Sequence, residues 1–182
     1  MIRNIVLGAT AAMLSASPLP SWAGPDAASL AGVYKHLQAP STEPGGVPKR
    51  DEDILEIVPY GPTNDKIYFR LYMRFANYHV CDVTGIGTPT KTGLEYQTPV
   101  EGGLCRIKMT FTPKGLNIED SEDRCRTTYC GARGSLNWTS PIRRSDRRPI
   151  RYLTRILESD MYEQAVENEK KAMNAGKPPA AP

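Results

Sequence analysis

The chain has 182 residues, of which 24% are charged, and a formal net charge of +3. This length is enough for one domain with a buried core, and the near balance of acids and bases gives no general argument for a nucleic-acid partner. Individual segments, not overall charge, must therefore indicate what the chain does.

The first 23 residues have the pattern of a cleavable secretory signal. Residues 1–4 carry one positive charge, residues 5–14 are apolar, and Ser21 and Ala23 supply small residues at a cleavage site. The apolar stretch is shorter than the ~20 residues that a membrane-spanning helix needs. We expect cleavage after Ala23, export to the periplasm and no membrane insertion afterwards.

Residues 24–173 are expected to form a single β-rich domain, and residues 174–182 a disordered tail of proline and alanine. The predicted strands are 31–37, 53–59, 66–75, 78–86, 94–98, 104–112 and 116–119. The clearest is 66–75, where apolar and polar residues alternate as in a strand with one buried face. Short strands separated by turn residues predict a mainly β fold, a small antiparallel barrel or sandwich of about seven to eight strands. A C-terminal helix is expected to follow it.

The four cysteines, Cys81, Cys105, Cys125 and Cys130, all follow the signal. In an oxidising compartment an even number of cysteines predicts disulfides, here two. Of the three possible pairings we favour Cys81–Cys105, since both residues lie on apolar strand faces, together with Cys125–Cys130. A zinc site is the rival interpretation, but the spacing fits zinc pairs only loosely. We therefore expect no metal and no other cofactor.

The sequence offers few groups for catalysis. His36 and His79 are the two histidines, and no nucleophile-elbow, phosphate-loop or dinucleotide pattern accompanies them. Acidic groups at 51–56 and 119–123 offer a carboxylate pair for glycoside hydrolysis, or else simply solvated loop acids. We expect no enzyme, and keep a hydrolase that uses His79 or an acid pair as the third possibility.

Residues 143–155 contain six arginines and one aspartate. Such a segment binds polyanions or acidic protein surfaces, or forms a solvated face whose charge the acidic groups balance. Aromatic residues for stacking on bases are scarce there, and nucleic acid is a poor partner for a periplasmic protein. Both interpretations of the segment remain open at this point.

Several features together resemble periplasmic proteins of Gram-negative bacteria that are grouped loosely with lysozyme inhibitors and effector-immunity proteins. These are the signal, the small disulfide-tied barrel, and the motif Cys125-x₄-Cys130-Gly131-Ala132-Arg133-Gly134 followed by Arg147-Arg148-Pro149-Ile150-Arg151-Tyr152-Leu153. The resemblance covers about residues 31–165 and implies no known mechanism. Because the loop at 125–134 leads into the arginine-rich segment, Arg133 is a candidate partner-binding residue.

A more specific resemblance is to the C-type lysozyme inhibitors. These small barrels insert a Ser-Gly-x-x-Tyr loop into the lysozyme cleft, helped by a lysine that precedes a glycine. Thr92, Gly93 and Tyr96 match the loop with threonine in the serine position, and Lys114-Gly115 stands for the second element at a longer spacing. The resemblance implies that Thr92 hydrogen-bonds one catalytic carboxyl group and that Lys114 offers charge to the other. Alternatively, Gly93 is a turn residue and Tyr96 an ordinary strand residue.

These features favour a non-enzymatic inhibitor or immunity protein whose partner is a peptidoglycan hydrolase, either a host lysozyme or a bacterial effector. The alternative is a periplasmic barrel that binds a small ligand in its interior. The identity of the target or ligand and the oligomeric state are not determined by the sequence.

Overall fold

The structure is a computed structural model and describes residues 27–40, 50–75 and 79–175. The predicted signal segment and all but the first two residues of the predicted tail lie outside these ranges. Residues 174 and 175 belong to the last helix, which extends slightly beyond the predicted end of the domain.

In the described ranges, eight strands form one antiparallel sheet in which every strand lies beside its neighbours in sequence. Their bounds are β1 Gly32–Leu37, β2 Glu52–Tyr60, β3 Lys66–Arg74, β4 Val80–Thr90, β5 Gly93–Val100, β6 Gly103–Thr112, β7 Gly115–Asp120 and β8 Trp138–Ser140. The helices are α1 Ala27–Leu30, α2 Arg124–Tyr129, α3 Leu153–Leu157 and α4 Asp160–Ala175, with short 3₁₀ turns at Ser121–Asp123 and Arg144–Asp146. The sheet curls into a half-barrel, so the predicted mainly β class with a C-terminal helix is confirmed.

The inner face of the sheet follows from the alternating pattern. In β3, Ile67, Phe69 and Leu71 are completely buried, as alternation over 66–75 predicts. Phe69 lies opposite Ile57 and Leu71 opposite Leu55 in β2, so the apolar faces of neighbouring strands coincide. These side chains form the main core on the concave side of the sheet.

The sheet bends at β4, which is the longest strand. Its first part pairs with β3 and its last three residues, Thr88–Thr90, pair with β5. The bend brings the two halves of the sheet over one another, and the rings of Tyr34 in β1 and Phe111 in β6 lie 4.9 Å apart. After β8 the chain returns to β1, where Val33 and Arg148 exchange two backbone hydrogen bonds of 2.9 Å.

Two disulfides are present, but the favoured pairing was wrong. The bridges are Cys81–Cys130, with Cα atoms 4.1 Å apart, and Cys105–Cys125, with Cα atoms 4.7 Å apart. Cys81 and Cys105 are both buried, as expected, but β5 separates their strands. Cys125 and Cys130 are five residues apart across the α2 helix, where such positions point about 140° away from each other.

The segment between β7 and β8 contains structure that the sequence pattern did not indicate. A disulfide-tied loop was predicted at 125–134, whereas the chain forms α2 and then the short strand β8. The buried Asp120 caps α2 by accepting hydrogen bonds from the backbone N–H groups of Cys125 (3.0 Å) and Arg126 (2.7 Å). The capped helix places Cys125 beside Cys105 of β6, and the residue that follows the helix, Cys130, lies beside Cys81 of β4.

The C-terminal helices pack on the outer face of β2, β3 and β4. Tyr68, on the polar face of the β3 pattern, is only 1% exposed because Tyr162 of α4 packs against it with ring centroids 4.9 Å apart. Ile156, Ala165 and Val58 complete this second apolar cluster. The outer face of this half of the sheet is therefore covered and does not serve as a free surface.

Candidate functional site

The antiparallel order of the strands divides the loops between two ends of the sheet. One end gathers the β4–β5 turn, the β6–β7 turn and the segment that follows β8. We call this end the basic end and define it by Lys91, Lys114, Arg143, Arg144 and Arg147, all of which are exposed. The opposite end, which we call the far end, carries α2 and both disulfides.

Thr92 and Lys114 lie together at the basic end, each in an exposed turn. The backbone carbonyl of Thr92 accepts a 2.7 Å hydrogen bond from the Phe111 N–H, which ties the first turn to β6. The Thr112 hydroxyl donates to the Gly115 carbonyl at 2.8 Å and accepts from the Lys114 N–H at 3.2 Å. Both turns are thus held by hydrogen bonds and present their side chains from a fixed backbone.

Gly93 and Tyr96, the other two residues of the five-residue match, are buried. A Cβ atom on Gly93 would lie 1.9 Å from the Met109 carbonyl oxygen, so this position has room only for glycine. The Tyr96 side chain is 9% exposed, packs edge-on against Phe69, and places its hydroxyl 3.3 Å from that of Tyr129. Burial, together with the Tyr129 hydrogen bond, raises the pKa of Tyr96. Both residues therefore belong to the scaffold beneath the turn.

Arg133 is exposed but lies at the far end, away from Thr92 and Lys114. Its loop is fixed by the Arg126 guanidinium, which donates to the Gly134 carbonyl at 2.9 Å and to the Ala132 carbonyl at 3.0 Å. The five residues predicted for partner binding are thus distributed over an exposed pair, a buried pair and one residue at the opposite end.

The arginine-rich segment supplies positive charge that the described residues do not neutralise. All six of its arginines are exposed, and in the described ranges none lies within ion-pair distance of a carboxylate. The acids that could have balanced them pair elsewhere: Asp51 with Arg74, Glu52 with Lys35, and Glu122 with Arg124. The first part of the segment, Arg143, Arg144 and Arg147, therefore adds uncompensated charge to the basic end, and no pattern in the sequence placed it beside Thr92 and Lys114.

Two of these arginines are fixed by contacts with neighbouring segments. Arg147 donates to the Ser29 carbonyl at 2.7 Å, and its aliphatic stem lies over Gly32, where a Cβ atom would approach its Cγ to 2.7 Å. Arg144 donates to the Lys91 carbonyl at 3.4 Å, which is a long hydrogen bond. Ser29, Ser145 and these two arginines line a pocket of about 570 Å³.

The acidic groups considered for hydrolysis have structural partners. The buried Asp53 accepts hydrogen bonds from Gln38 (2.7 Å) and from the Arg74 backbone N–H (3.1 Å), and burial raises its pKa. The buried Glu56 accepts one from the Tyr152 hydroxyl, and Asp120 caps α2. Within the described ranges, no three histidine, cysteine, aspartate or glutamate side chains form a group suited to a metal ion.

A second, open groove of about 780 Å³ lies between the end of α4 and the outer face of β4–β7. On this face Lys108 of β6 lies directly opposite Glu95 of β5 and Glu119 of β7. Acidic and basic side chains therefore alternate across the three strands. Such a face is largely self-compensated in charge. The basic end, by contrast, carries a net positive charge among the described residues.

Comparison with protein families, curated proteins and solved structures gives no significant match. None of the described helices has the length and apolar character needed to cross a membrane. The two disulfides fit an oxidising extracellular or periplasmic compartment.

Proposed function

We propose that this chain is an exported, non-enzymatic inhibitor of a peptidoglycan hydrolase. It acts in the periplasm against a host lysozyme, or as an immunity protein against a bacterial effector, and binds the hydrolase with its basic end. One observation carries the proposal: Thr92 and Lys114 lie in exposed turns at the same end as arginines that have no carboxylate partner among the described residues.

The charge of this end complements the cleft of the proposed target. Glycoside hydrolases hold two carboxyl groups on either side of the bond they cleave, about 5–9.5 Å apart. A lysine ammonium group forms a charge-assisted hydrogen bond with one such group, and a threonine hydroxyl donates to the other. The surrounding arginines attract an acidic cleft from a distance, which increases the association rate.

The two turns are also rigid enough for this role. The Phe111–Thr92 and Thr112–Gly115 hydrogen bonds fix their backbones before any partner arrives. Rigid loops lose little conformational entropy on binding, so more of the contact energy is available as affinity. In this proposal Gly93 and Tyr96 support the first turn from within the core, and Arg133 takes no part.

Export is supported by the signal pattern of residues 1–23 and by the disulfides. The bridges tie the start of α2 and the residue just after it to different strands, Cys125 to β6 and Cys130 to β4. Such bridges persist in the periplasm and are rare in the reducing cytosol. The proposed compartment and the proposed target, a cell-wall hydrolase, agree with one another.

The alternative, a small ligand inside the sheet, has less support. Phe69, Met73 and Met109 are at most 1% exposed and fill the concave side, with Tyr34 and Phe111 packed across it. A ligand of ordinary size needs a cavity of several hundred Å³. Because side chains already fill the interior, no cavity of that size remains there for such a ligand among the described residues.

The test is inhibition of purified hydrolases by the protein purified after export. Turbidity of a peptidoglycan suspension is followed with a C-type lysozyme and with bacterial muramidases at micromolar inhibitor. We expect inhibition of at least one enzyme, and an inhibition constant about tenfold higher for Thr92→Ala and for Lys114→Gln.

The matched control is Lys170→Gln, which removes the same charge from an exposed position on α4, away from the basic end. It should inhibit as the parent protein does. The proposal is wrong if no hydrolase is inhibited, or if Lys170→Gln weakens inhibition as much as Lys114→Gln.

A further inference from the structure

The pocket lined by Ser29, Arg144, Ser145 and Arg147 has a chemistry of its own within the basic end. Among the described residues, two arginines and two serines line it. Two guanidinium groups at one pocket repel each other unless an anion lies between them. Neither has a carboxylate within ion-pair distance among the described residues.

Arg147 is anchored by a short hydrogen bond and Arg144 is held by a long one, and most donors of both guanidinium groups stay available. Each donates a single described hydrogen bond, Arg147 to the Ser29 carbonyl and Arg144 to the Lys91 carbonyl. The other N–H groups of a planar guanidinium remain in a fixed fork, which matches the oxygens of a carboxylate or phosphate. Anchored donors of this kind bind an oxyanion with a small loss of side-chain entropy.

The positive potential of the pair extends into the domain. Burial raises the pKa of the Tyr34 hydroxyl, and the charges of Arg147 and Arg144 act in the opposite direction. Tyr34 is fully buried and donates to the Leu30 carbonyl at 2.7 Å. The α1 segment and the residue that follows the turn at Arg144–Asp146 are joined at the pocket by the Arg147–Ser29 hydrogen bond.

We propose that this pocket binds the phosphate monoester group of a ligand about the size of a sugar phosphate. A phosphate monoester carries nearly two negative charges and three terminal oxygens. It therefore matches two guanidinium groups and two hydroxyls, whereas a single carboxylate is satisfied by one arginine. The volume of about 570 Å³ leaves room for the group that the phosphate is attached to.

The experiment is calorimetric titration of the purified exported protein, without any hydrolase, so its result is independent of the proposed inhibition. Glucose 6-phosphate is the probe, with glucuronate and glucose as comparison ligands. We expect a dissociation constant below about 1 mM for glucose 6-phosphate, weaker binding of glucuronate and none of glucose. Vesicles of phosphatidic acid, against vesicles of phosphatidylcholine, show whether a lipid-borne monoester binds as well as the free sugar phosphate.

Variants locate the binding. Arg144→Gln should weaken glucose 6-phosphate binding about tenfold, and Arg144→Lys should restore it only in part because the fork is lost. Arg151→Gln removes the same charge from an exposed arginine outside the pocket and should change affinity little. The proposal is overturned if neither glucose 6-phosphate nor phosphatidic acid binds, or if Arg151→Gln and Arg144→Gln weaken binding equally.

Discussion

The ring of Tyr96 lies directly over Gly85, and a Cβ atom at Gly85 would lie 2.2 Å from the ring carbon Cε2. Gly85 is in β4, just before the bend, and Tyr96 is in β5 on the same inner face. A glycine at this position lets a large aromatic ring fill the inside of the bend. Tyr96, which the sequence match assigned to partner binding, therefore packs in the core and supports the bend.

We predict that Gly85→Ala destabilises the protein, since the added methyl group overlaps the Tyr96 ring. The expected loss in free energy of unfolding is about 1–3 kcal/mol, measured by urea denaturation. Combined with Tyr96→Leu, which removes the ring, Gly85→Ala should cost less than it does alone, with a coupling of about 1 kcal/mol or more. Strict additivity of the two substitutions would contradict this contact.

The disulfide connectivity can be read directly by peptide mapping. Trypsin cleavage after Arg74, Lys91, Arg106, Arg124, Arg126 and Arg133 places the four cysteines on separate peptides. Without reduction, mass spectrometry should find the Cys81 peptide joined to the Cys130 peptide, and the Cys105 peptide joined to that of Cys125. A Cys81–Cys105 peptide would instead support the pairing that strand faces alone suggested.

The two bridges should differ in their contributions to stability. Cys81–Cys130 spans 49 residues and Cys105–Cys125 spans 20. Loop-closure entropy alone gives about 4 and about 3 kcal/mol for these separations. Chemical denaturation of the two double-serine variants should therefore find the Cys81→Ser/Cys130→Ser protein the less stable, and the reverse order would contradict the entropic argument.

The contact between Tyr152 and Glu56 should hold the C-terminal helices to the sheet. The Tyr152 hydroxyl donates a 2.5 Å hydrogen bond to Glu56 Oε1, and the Glu56 side chain is buried. Tyr152→Phe leaves that carboxylate without this donor and should lower the free energy of unfolding by about 1–3 kcal/mol. Proteolysis within α4 should become faster in the same variant.

The matched control is Tyr72→Phe, on β3, whose hydroxyl forms no hydrogen bond to another described residue. Its effect should stay within about 0.5 kcal/mol. Equal effects of the two substitutions would mean that Tyr152 acts through general packing and not through its bond to Glu56.

The raised pKa of Asp53 should make the free energy of unfolding depend on pH. Burial raises the pKa of this carboxyl in the folded state, so the folded protein binds its proton more tightly than the unfolded chain does. The resulting stabilisation is present below the unfolded pKa, about pH 4, and is lost as the pH rises through the higher folded pKa. Relative to Asp53→Asn, the parent protein should therefore lose stability as the pH rises above about 4, measured by urea denaturation.

Asp65 provides a control of opposite sign. The Thr63 hydroxyl donates to it at 2.7 Å and holds its pKa below the ordinary value, so its contribution is present at neutral pH and lost as the pH falls. Relative to Asp65→Asn, the parent protein should gain stability as the pH rises. The same pH trend in both comparisons would contradict the assignment of the Asp53 effect to burial.

Local pattern accounts for much of the fold but little of the site. The β3 alternation predicts which side chains face the core because a pleated strand has a period of two. The same alternation places Tyr68 on the face opposite the core. That side chain is nevertheless buried, because Tyr162, which lies far along the chain, packs against it. The sequence pattern also does not predict that the arginine-rich segment lies beside Thr92. That position depends on the path by which the chain returns from β8 to β1.

The sequence by itself predicted seven strands of a β-rich domain, the burial of Cys81 and Cys105, and the presence of an unusually basic segment. These are properties of residue type and period, which act over a few neighbours. Only the tertiary structure decided which cysteines meet, which of Thr92, Gly93, Tyr96, Lys114 and Arg133 are accessible, and where the arginines lie. Those outcomes depend on the bend in β4 and on the capped helix α2, which bring together residues that are distant in sequence.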